Sequence, residues 1–597
     1  MKTVLTSDPH GLFDSRPTFS HVASVLGPVR MIMTAGQVGT DANGQAPKDI
    51  KEQYSLAFRN LERCLEATGA TVADIVKLVY YIVDYDPNNR LHVEPLTQFL
   101  RGHRPATTLV PVPCLARPAY KFEVEAYVAI PQSGTKTVDV VVVGAGLSGL
   151  KAAYDVQKAG FSVAVVEARD RVGGKTWSVE HMEGDAKFVD RGAAWINDTN
   201  QTEVYALAQA LGLNLVVQNT TGNVVQQDTE GKVSQFLYGA TPTGLGTAAV
   251  DDMVRLRDAA EAACQALDIH DPVRTGGHLD SLTFEEWIRS VGGGVTALAS
   301  ATVWTRAMLG MEPSEMSALF FLNYCKSGGG LLQMRSDRKD GGQYLRFERG
   351  TQSLSLGLLS LLKEGTVTLS SPVQSITQTD GLVKVVSARG DFVCKRVIVS
   401  VPTPLYKEIA FSPPLPAAKA ALASANRLGF INKVIVRYAA PWWHQHGLCG
   451  MLQSFAKYSP ISVTRDSSVA SKGQYSLTCF VAGSAGREAS KLSKEERFRV
   501  VTEQIQATLG GGKPAPAPLG FEEHEWAHDQ WAQGCPCPAA PPGAMTQYEH
   551  ALRSIHGKVH FVGTETAHEW KGYMDGALRS GIRGGGEVVS ALSMPKL

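Results

Sequence analysis

The chain has 597 residues, with 58 basic and 57 acidic side chains, a net charge of +1, and 44% hydrophobic residues. That length implies several domains rather than one core. The balanced charge argues against nucleic acid or an anionic membrane as partner, and no apolar run approaches the ~18–20 residues that span a bilayer.

In chain order, the start "MKTVLTSDPHGLFD" lacks an apolar h-region, which predicts no secretory signal. Residues 1–130 read as one small α/β domain, closed by the polar stretch "IPQSGTKT", which predicts a linker at 131–137. The chain then begins afresh with a strand, a Gly-rich turn and a helix. Between 200 and 330 apolar residues recur three and four apart, as in "DDMVRLRDAAEAACQAL", and predict mainly helix. Residues 366–400 read as hairpin strands with Gly turns, and "GGGKPAPAPLG" (510–520) reads as a surface loop. The nine cysteines are odd in number and scattered, so they are expected as thiols in a reducing, cytoplasmic compartment. The terminal "MPKL" departs from the peroxisomal S-K-L signal by a proline, leaving that compartment as an alternative.

The stretch "DVVVVGAGLSGL" carries Gly144, Gly146 and Gly149 in a G-x-G-x-x-G, with Ser148 inside it. The first glycine permits the turn, the second lets backbone approach a pyrophosphate, and the third lets helix pack on strand. The following helix points its positive end at the phosphates. A second strand, "FSVAVVEA", ends at Glu167, where a carboxylate accepts the hydroxyls of an adenosine ribose. Strand, turn, helix and acid together predict a dinucleotide site.

Directly after Glu167 comes "ARDRVGGKT". With "DRGAAWIN", "KDGGQY", "SPVQSI", "INKVIVRY" and "FVGTETAHEWKGYMDGAL" following in order, residues 138–597 resemble the flavin-containing amine oxidase family. The resemblance implies FAD. It implies that Glu167 binds the ribose, that Arg169 and Lys175 flank adenine and pyrophosphate, and that Ala193, Ala194 and Trp195 line the flavin. Val373 falls at the adenine end, Glu565 and Met574 at the ribityl and ring region, and Trp526 beside the ring. Lys433 corresponds to the family's lysine near flavin N5. Gln343, Tyr573 and Trp195 would face the substrate amine, with Lys433, Tyr573 and Gln343 as the catalytic set.

Cys535, nine residues after Trp526, matches a cysteine that bonds flavin in some members of that family. A thioether and a free buried thiol both stay open. Cys537 makes a Cys-x-Cys, but with no second cluster no metal is expected. Pro536 stands where the family often has an aromatic, so only Tyr573 of a two-walled aromatic cage is visible. The implied chemistry is hydride loss from the carbon bearing a neutral amine, favoured by a dry pocket, with no strong side-chain base nominated. The imine then hydrolyses to carbonyl and ammonia, and O2 becomes hydrogen peroxide.

Residues 1–130 resemble the RidA (YjgF) family of imine deaminases through "MTAGQVGTDANGQ", "QYSLAFRNLERCLEATGATVADIVKLVYYIVDY" and "RPATTLVPVPCL". Thr107 stands where active members hold a carboxylate-gripping arginine. The domain is therefore expected either as structural or, with Glu125 holding water, as a hydrolase for imines that lack a carboxylate. Over nearly its whole length the chain resembles fungal aminopolyol amine oxidases, which implies a primary amine on a long hydroxylated alkyl chain such as hydrolysed fumonisin.

The expected fold is α/β and α+β: a RidA-like domain (1–130), the linker (131–137), and a Rossmann-type FAD domain interleaved with a mixed-sheet and helical substrate domain. FAD segments are expected at about 138–200, 350–405 and 555–597, and substrate segments at about 201–349 and 406–554. A homo-oligomer is expected, its order left open by trimeric RidA relatives and dimeric amine oxidases. Polyamine oxidase, amino-acid oxidase and a non-catalytic FAD-bearing scaffold are the rival readings.

Overall fold

The computed structural model describes residues 4–26, 28–131, 133–180, 187–379 and 381–594. The C-terminal 595–597, on which the peroxisomal expectation rests, lie outside the described residues. The chain forms two compact units, one of Met1–Val138, Val166–Arg171 and Val367–Cys394, the other of Asp139–Val165, Val172–Thr366 and Lys395–Leu597.

In the first unit the strands Val29–Met33, Phe122–Pro131, Ile75–Val83 and Ala106–Val112 lie side by side in that order. The helix Ile50–Thr68 is amphipathic. Asp49 caps its start by accepting from the Glu52 amide at 2.9 Å, and Gly69 ends it at φ 74°. Its Phe58, Leu61 and Leu65 bury against Leu78, Tyr80, Phe122 and Val124 of the sheet.

The stretch expected as a linker differs. Ser133–Thr137 is a strand running parallel to Gly390–Cys394, the last strand of the hairpins Val373–Gln378 and Val383–Ser387. The edge strand Gly390–Cys394 offers unpaired amides and carbonyls, and a polar extended segment satisfies them without needing an apolar face. The N-terminal domain also packs on these hairpins. A Cβ on Gly69 would stand 2.4 Å from that of Ala388, and Asp74 pairs with Arg389 at 2.5 Å. The expected FAD segment at 350–405 is thus divided, with its hairpins in the first unit.

The second unit contains a parallel sheet in which Arg396–Val399 runs parallel to both Val140–Val143 and Val559–Phe561. These strands are buried on both faces and read as continuous valine-rich runs. The helix Leu147–Lys158 follows the first of them. The C-terminal helix Met574–Ser593 lies on it through Gly581, whose Cβ would fall 2.5 Å from the Ser148 carbonyl oxygen. This contact brings the starts of both helices to one place.

A second, seven-stranded sheet has the order Val233–Leu237, Asn223–Gln227, Leu448–Ser454, Ile461–Asp466, Tyr475–Ala482, Ile431–Tyr438, Gly520–Glu525. Its first two strands, with Leu215–Val217, interrupt the region expected to be mainly helical. The run "NVVQQDTEGKVSQFL" alternates about an Asp-Thr-Glu-Gly turn, a strand period that the neighbouring helical pattern overshadows. Helices Thr247–Gln265, Val295–Leu309 and Ala318–Ser327 pack together on a large apolar core.

Candidate active site

A cavity of ≈620 Å³ lies within the second unit. It begins at Gly146 and Leu147 and runs past Gly192–Trp195, Lys433 and Met574 to Gln343 and Tyr573. It continues to Arg257 and Arg338. Its size suits a cofactor and a small substrate in one space.

The seven-stranded sheet supplies one wall by its two-residue period. Lys433 pairs across from Phe480, Phe480 from Val463, and Val463 from Gln453. Residues opposite one another share a face, so Ile431, Lys433, Phe480, Val463, Arg465, Met451 and Gln453 all line the cavity. The other face carries Val434, Cys479, Val481 and Leu452 into a separate core. The helix Val295–Leu309 adds a second wall at helical spacing with Ser300, Val303, Trp304 and Ala307.

At the Gly-rich turn the three glycines behave differently. Gly144 has φ 99°, and a Cβ on Gly149 would strike the Gly144 carbonyl oxygen at 2.1 Å. A Cβ on Gly146 would meet nothing within 4 Å, and Gly146 caps the helix Leu147–Lys158 without a side-chain bond. Free helix amides facing open space make a cradle for a phosphate. Ser148 is buried and accepts from Ser580 Oγ at 3.2 Å. The fit to a dinucleotide therefore rests on the shape of the turn as well as its sequence.

The flavin-side residues of the sequence reading converge on this cavity. Gly146, Lys175, Ala193, Ala194, Trp195, Trp526, Cys535, Tyr573 and Met574 all line it. Lys175 Nζ donates to the Pro536 carbonyl at 3.1 Å, and Trp526 Nε1 to the Arg191 carbonyl at 3.0 Å. Glu565 is buried behind Thr564, where its Oε1 accepts from the Thr403 amide at 3.0 Å and burial raises its pKa. Glu167, Arg169 and Val373 belong to the first unit. There the Arg169 amide donates to Glu167 Oε1 at 2.9 Å, and Val373 opens a hairpin strand.

Lys433 is 4% exposed and donates to the Gly192 carbonyl at 2.8 Å. Burial pushes its pKa down to about 8, opposed by the carboxylate of Asp190. Cys535 is buried, and its thiol is pushed up to about 11, chiefly by burial. Cys537, also buried and unbridged, is pushed up to about 12.

Gln343 is placed by a turn that needs its two glycines. A Cβ on Gly341 would lie 2.2 Å from the Ser336 carbonyl oxygen, and one on Gly342 2.7 Å from that of Met334. Gln343 Nε2 then donates to the Met334 carbonyl at 3.0 Å and to Tyr573 Oη at 3.1 Å. Its Oε1 is buried without a hydrogen-bond partner. Gln343 lines the cavity, and a buried amide oxygen without a partner is an acceptor that lacks its N–H donor.

Sequence reasoning missed several lining residues. Tyr324 packs 6.4 Å from Tyr573, ring to ring, beside the position where Pro536 replaces the expected aromatic. Trp195 stacks on Phe480 at 5.9 Å. Arg335, Arg338 and Arg465 also line the cavity, whereas no described aspartate or glutamate does. The run "MRSDRKDGGQ" displays two of those arginines, but nothing local shows which way they point.

Residues 147–588 match the family of flavin containing amine oxidoreductases. The chain belongs to that family. It is an FAD-dependent amine oxidase, and residues 14–130 form a domain of the family described as Endoribonuclease L-PSP. Amine oxidase B of Cavia porcellus is 33% identical over 457 residues, covering 76% of this chain and 86% of that protein. An amine oxidase of Danio rerio is 32% identical with the same coverage. Among solved structures, a putrescine oxidase variant superposes with TM-score 0.71 at 27% identity, covering 76% of this chain and all of that one. A cyclohexylamine oxidase from Brevibacterium oxydans superposes with TM-score 0.72 at 26% identity. No described helix is long and apolar enough to cross a membrane, and no described cluster of His, Cys, Asp or Glu could hold a metal ion.

In the N-terminal domain Thr107 pairs across from Leu78, whereas Glu125 pairs across from Val79. Successive strand residues alternate faces. Thr107 therefore shares the helix-covered face with Leu78 and Tyr80, and Glu125 lies on the other.

Proposed function

We propose that the chain oxidises a primary amine on a long alkyl chain, an aminopolyol such as hydrolysed fumonisin, to a carbonyl, ammonia and hydrogen peroxide. The observation that carries the amine end is the unpartnered Oε1 of Gln343, a cavity-lining residue beside Tyr573. A neutral primary amine would donate one N–H to that oxygen, with its carbon directed toward the face formed by Ala194, Trp195 and Lys433. When bound, the flavin supplies a two-electron acceptor for hydride.

The chain's own residues do the rest. Burial and the cations around the site disfavour an ammonium and favour the neutral amine that can react. Lys433, held on the Gly192 carbonyl, would hold water at the flavin's reactive nitrogen. Apolar Ile431, Val463, Phe480 and Met451 exclude bulk water from the reacting carbon. Lys175 and Glu565 would take the pyrophosphate and ribityl hydroxyls.

The polar groups Thr241, Ser300, Ser336 and Gln453 line the cavity and suit a hydroxylated chain. A polyamine is disfavoured, because its second ammonium would meet arginines and no carboxylate. The N-terminal domain is read as structural, since its Thr107 and Glu125 point to opposite faces.

The test is the flavin spectrum on anaerobic mixing with dodecylamine or a long-chain aminopolyol, followed by air. Bleaching that returns with air, with peroxide formed, is expected. A flavin that stays oxidised with every amine would favour the scaffold reading instead.

A further inference from the structure

The cavity holds an excess of positive charge that amine oxidation does not require. Four of its lining arginines lie away from the Gly-rich turn, and three of them have partners. Arg257 pairs with Asp258 at 2.7 Å. Arg338 donates to the Tyr238 carbonyl at 2.7 Å and lies over that ring. Arg465 Nε contacts both Asp337 oxygens at 3.1 Å, and Asp337 is 1% exposed.

Arg335 is the fourth. Its guanidinium carbon lies over the Trp304 ring, 4.7 Å from its centre, a cation–π contact. It makes no side-chain hydrogen bond or ion pair with any described residue. A contact over a ring takes up none of the guanidinium N–H donors, which are what meet a carboxylate in a bidentate pair. Arg335 directly follows Met334, whose carbonyl holds Gln343 and Tyr573. Burial lowers its pKa to about 10, so it stays protonated at neutral pH. This part-buried cation lines a cavity with no described acid in its lining, and the carboxylate that reaches it electrostatically, Asp337, is already bonded to Arg465, so a ligand can bring a counter-charge of its own.

We propose that Arg335 reads a carboxylate on the substrate, remote from the amine. The substrate class is then a long-chain primary amine carrying an acidic substituent along or at the end of its chain. This rests on the amine-oxidase reading and departs from its uncharged aminopolyol: the long-chain amine would carry an acidic group as well. Arg335 is a specificity residue and takes no part in the chemical step.

Three amines of equal chain length separate the readings: dodecylamine, ω-aminododecanoate and the α,ω-diamine. The carboxylated amine is expected to have the highest kcat/KM and the diamine the lowest. In Arg335→Gln the ratio of kcat/KM for ω-aminododecanoate to that for dodecylamine should fall about 10- to 100-fold, the worth of a charge-assisted hydrogen bond. Arg335→Lys should restore part of it, because the charge remains without the fork.

Equal use of all three amines by the unmodified enzyme, or preference for the diamine or for α-aminododecanoate, would overturn the proposal. A binding measurement is independent of turnover: dodecanoate should quench the emission of the tryptophan under Arg335 in the holoenzyme, and should not do so in Arg335→Gln. Quenching without oxidation of any amine would retain the carboxylate site and remove the oxidase assignment. Oxidation without quenching or carboxylate preference would do the reverse.

Discussion

The side-chain amide of Gln343 donates to the phenol oxygen of Tyr573 across 3.1 Å, and both groups converge on the carbonyl of Met334. The two side chains come from positions 230 residues apart. Their mutual bond fixes the amide so that Nε2 is spent on protein and Oε1 is the atom without a partner. Gln343→Leu should therefore lower kcat/KM for a primary amine by about 10- to 100-fold, the loss of ~1.5–3 kcal/mol. Tyr573→Phe, which keeps the ring, should cost less alone and little more on top of Gln343→Leu. Losses that simply multiply in the double variant would show that the two groups act separately.

The Gly-rich turn offers a contrast between two alanine variants. Gly146→Ala places its methyl in open space, so the fold should survive while the methyl intrudes on the cofactor's phosphates. Gly149→Ala drives its methyl into the Gly144 carbonyl at 2.1 Å, so helix and strand must separate. The expected outcome is a folded Gly146→Ala protein with at least about tenfold weaker flavin retention, and a Gly149→Ala protein with a lowered Tm. Full flavin content in Gly146→Ala would remove the turn from the cofactor site.

Lys433 makes stability depend on pH in a definite direction. Its folded pKa of about 8 lies below its ordinary 10.5. Between those values the unfolded chain holds a proton that the folded chain does not, so stability rises with pH across that window. Below about pH 8 both states are charged and the full cost of burying the ammonium remains, at most about 3 kcal/mol. The Tm difference between the unmodified protein and Lys433→Met should therefore shift in favour of the lysine from pH 7.5 to 10. A difference that is flat or moves the other way would place the lysine in a wetter site than the structure shows. The same variant should lose amine oxidation by about tenfold or more if Lys433 serves the flavin.

Cys535 bears on how the cofactor is held. Its thiol lines the cavity, yet burial raises its pKa to about 11, and the thiolate is the bonding form. We expect acid precipitation of the holoenzyme to leave the flavin in the supernatant, and Cys535→Ala to bind the cofactor as well as the parent. A yellow pellet that turns colourless in Cys535→Ala would establish a thioether instead.

The sequence by itself determined those parts of the molecule whose physics is local. A strand, a glycine turn and a helix with an open N-terminus must lie consecutively, so "VVVVGAGLSGL" spells them out. The same holds for the Gly-Gly turn before Gln343 and the Gly-Tyr-Met start of the last helix. It could not show that 133–137 is a strand, because nothing in that segment reveals the unpaired edge at Gly390–Cys394 that it completes. Nor could it show Tyr324 beside Tyr573, Phe480 across from Lys433, or Arg335 on Trp304. Those neighbours are chosen by strand register and helix packing between distant segments, which carry no short-range signature. The chemistry of the amine end was legible as motif, whereas the charge of the cavity beyond it was decided by which side chains the tertiary fold turned inward.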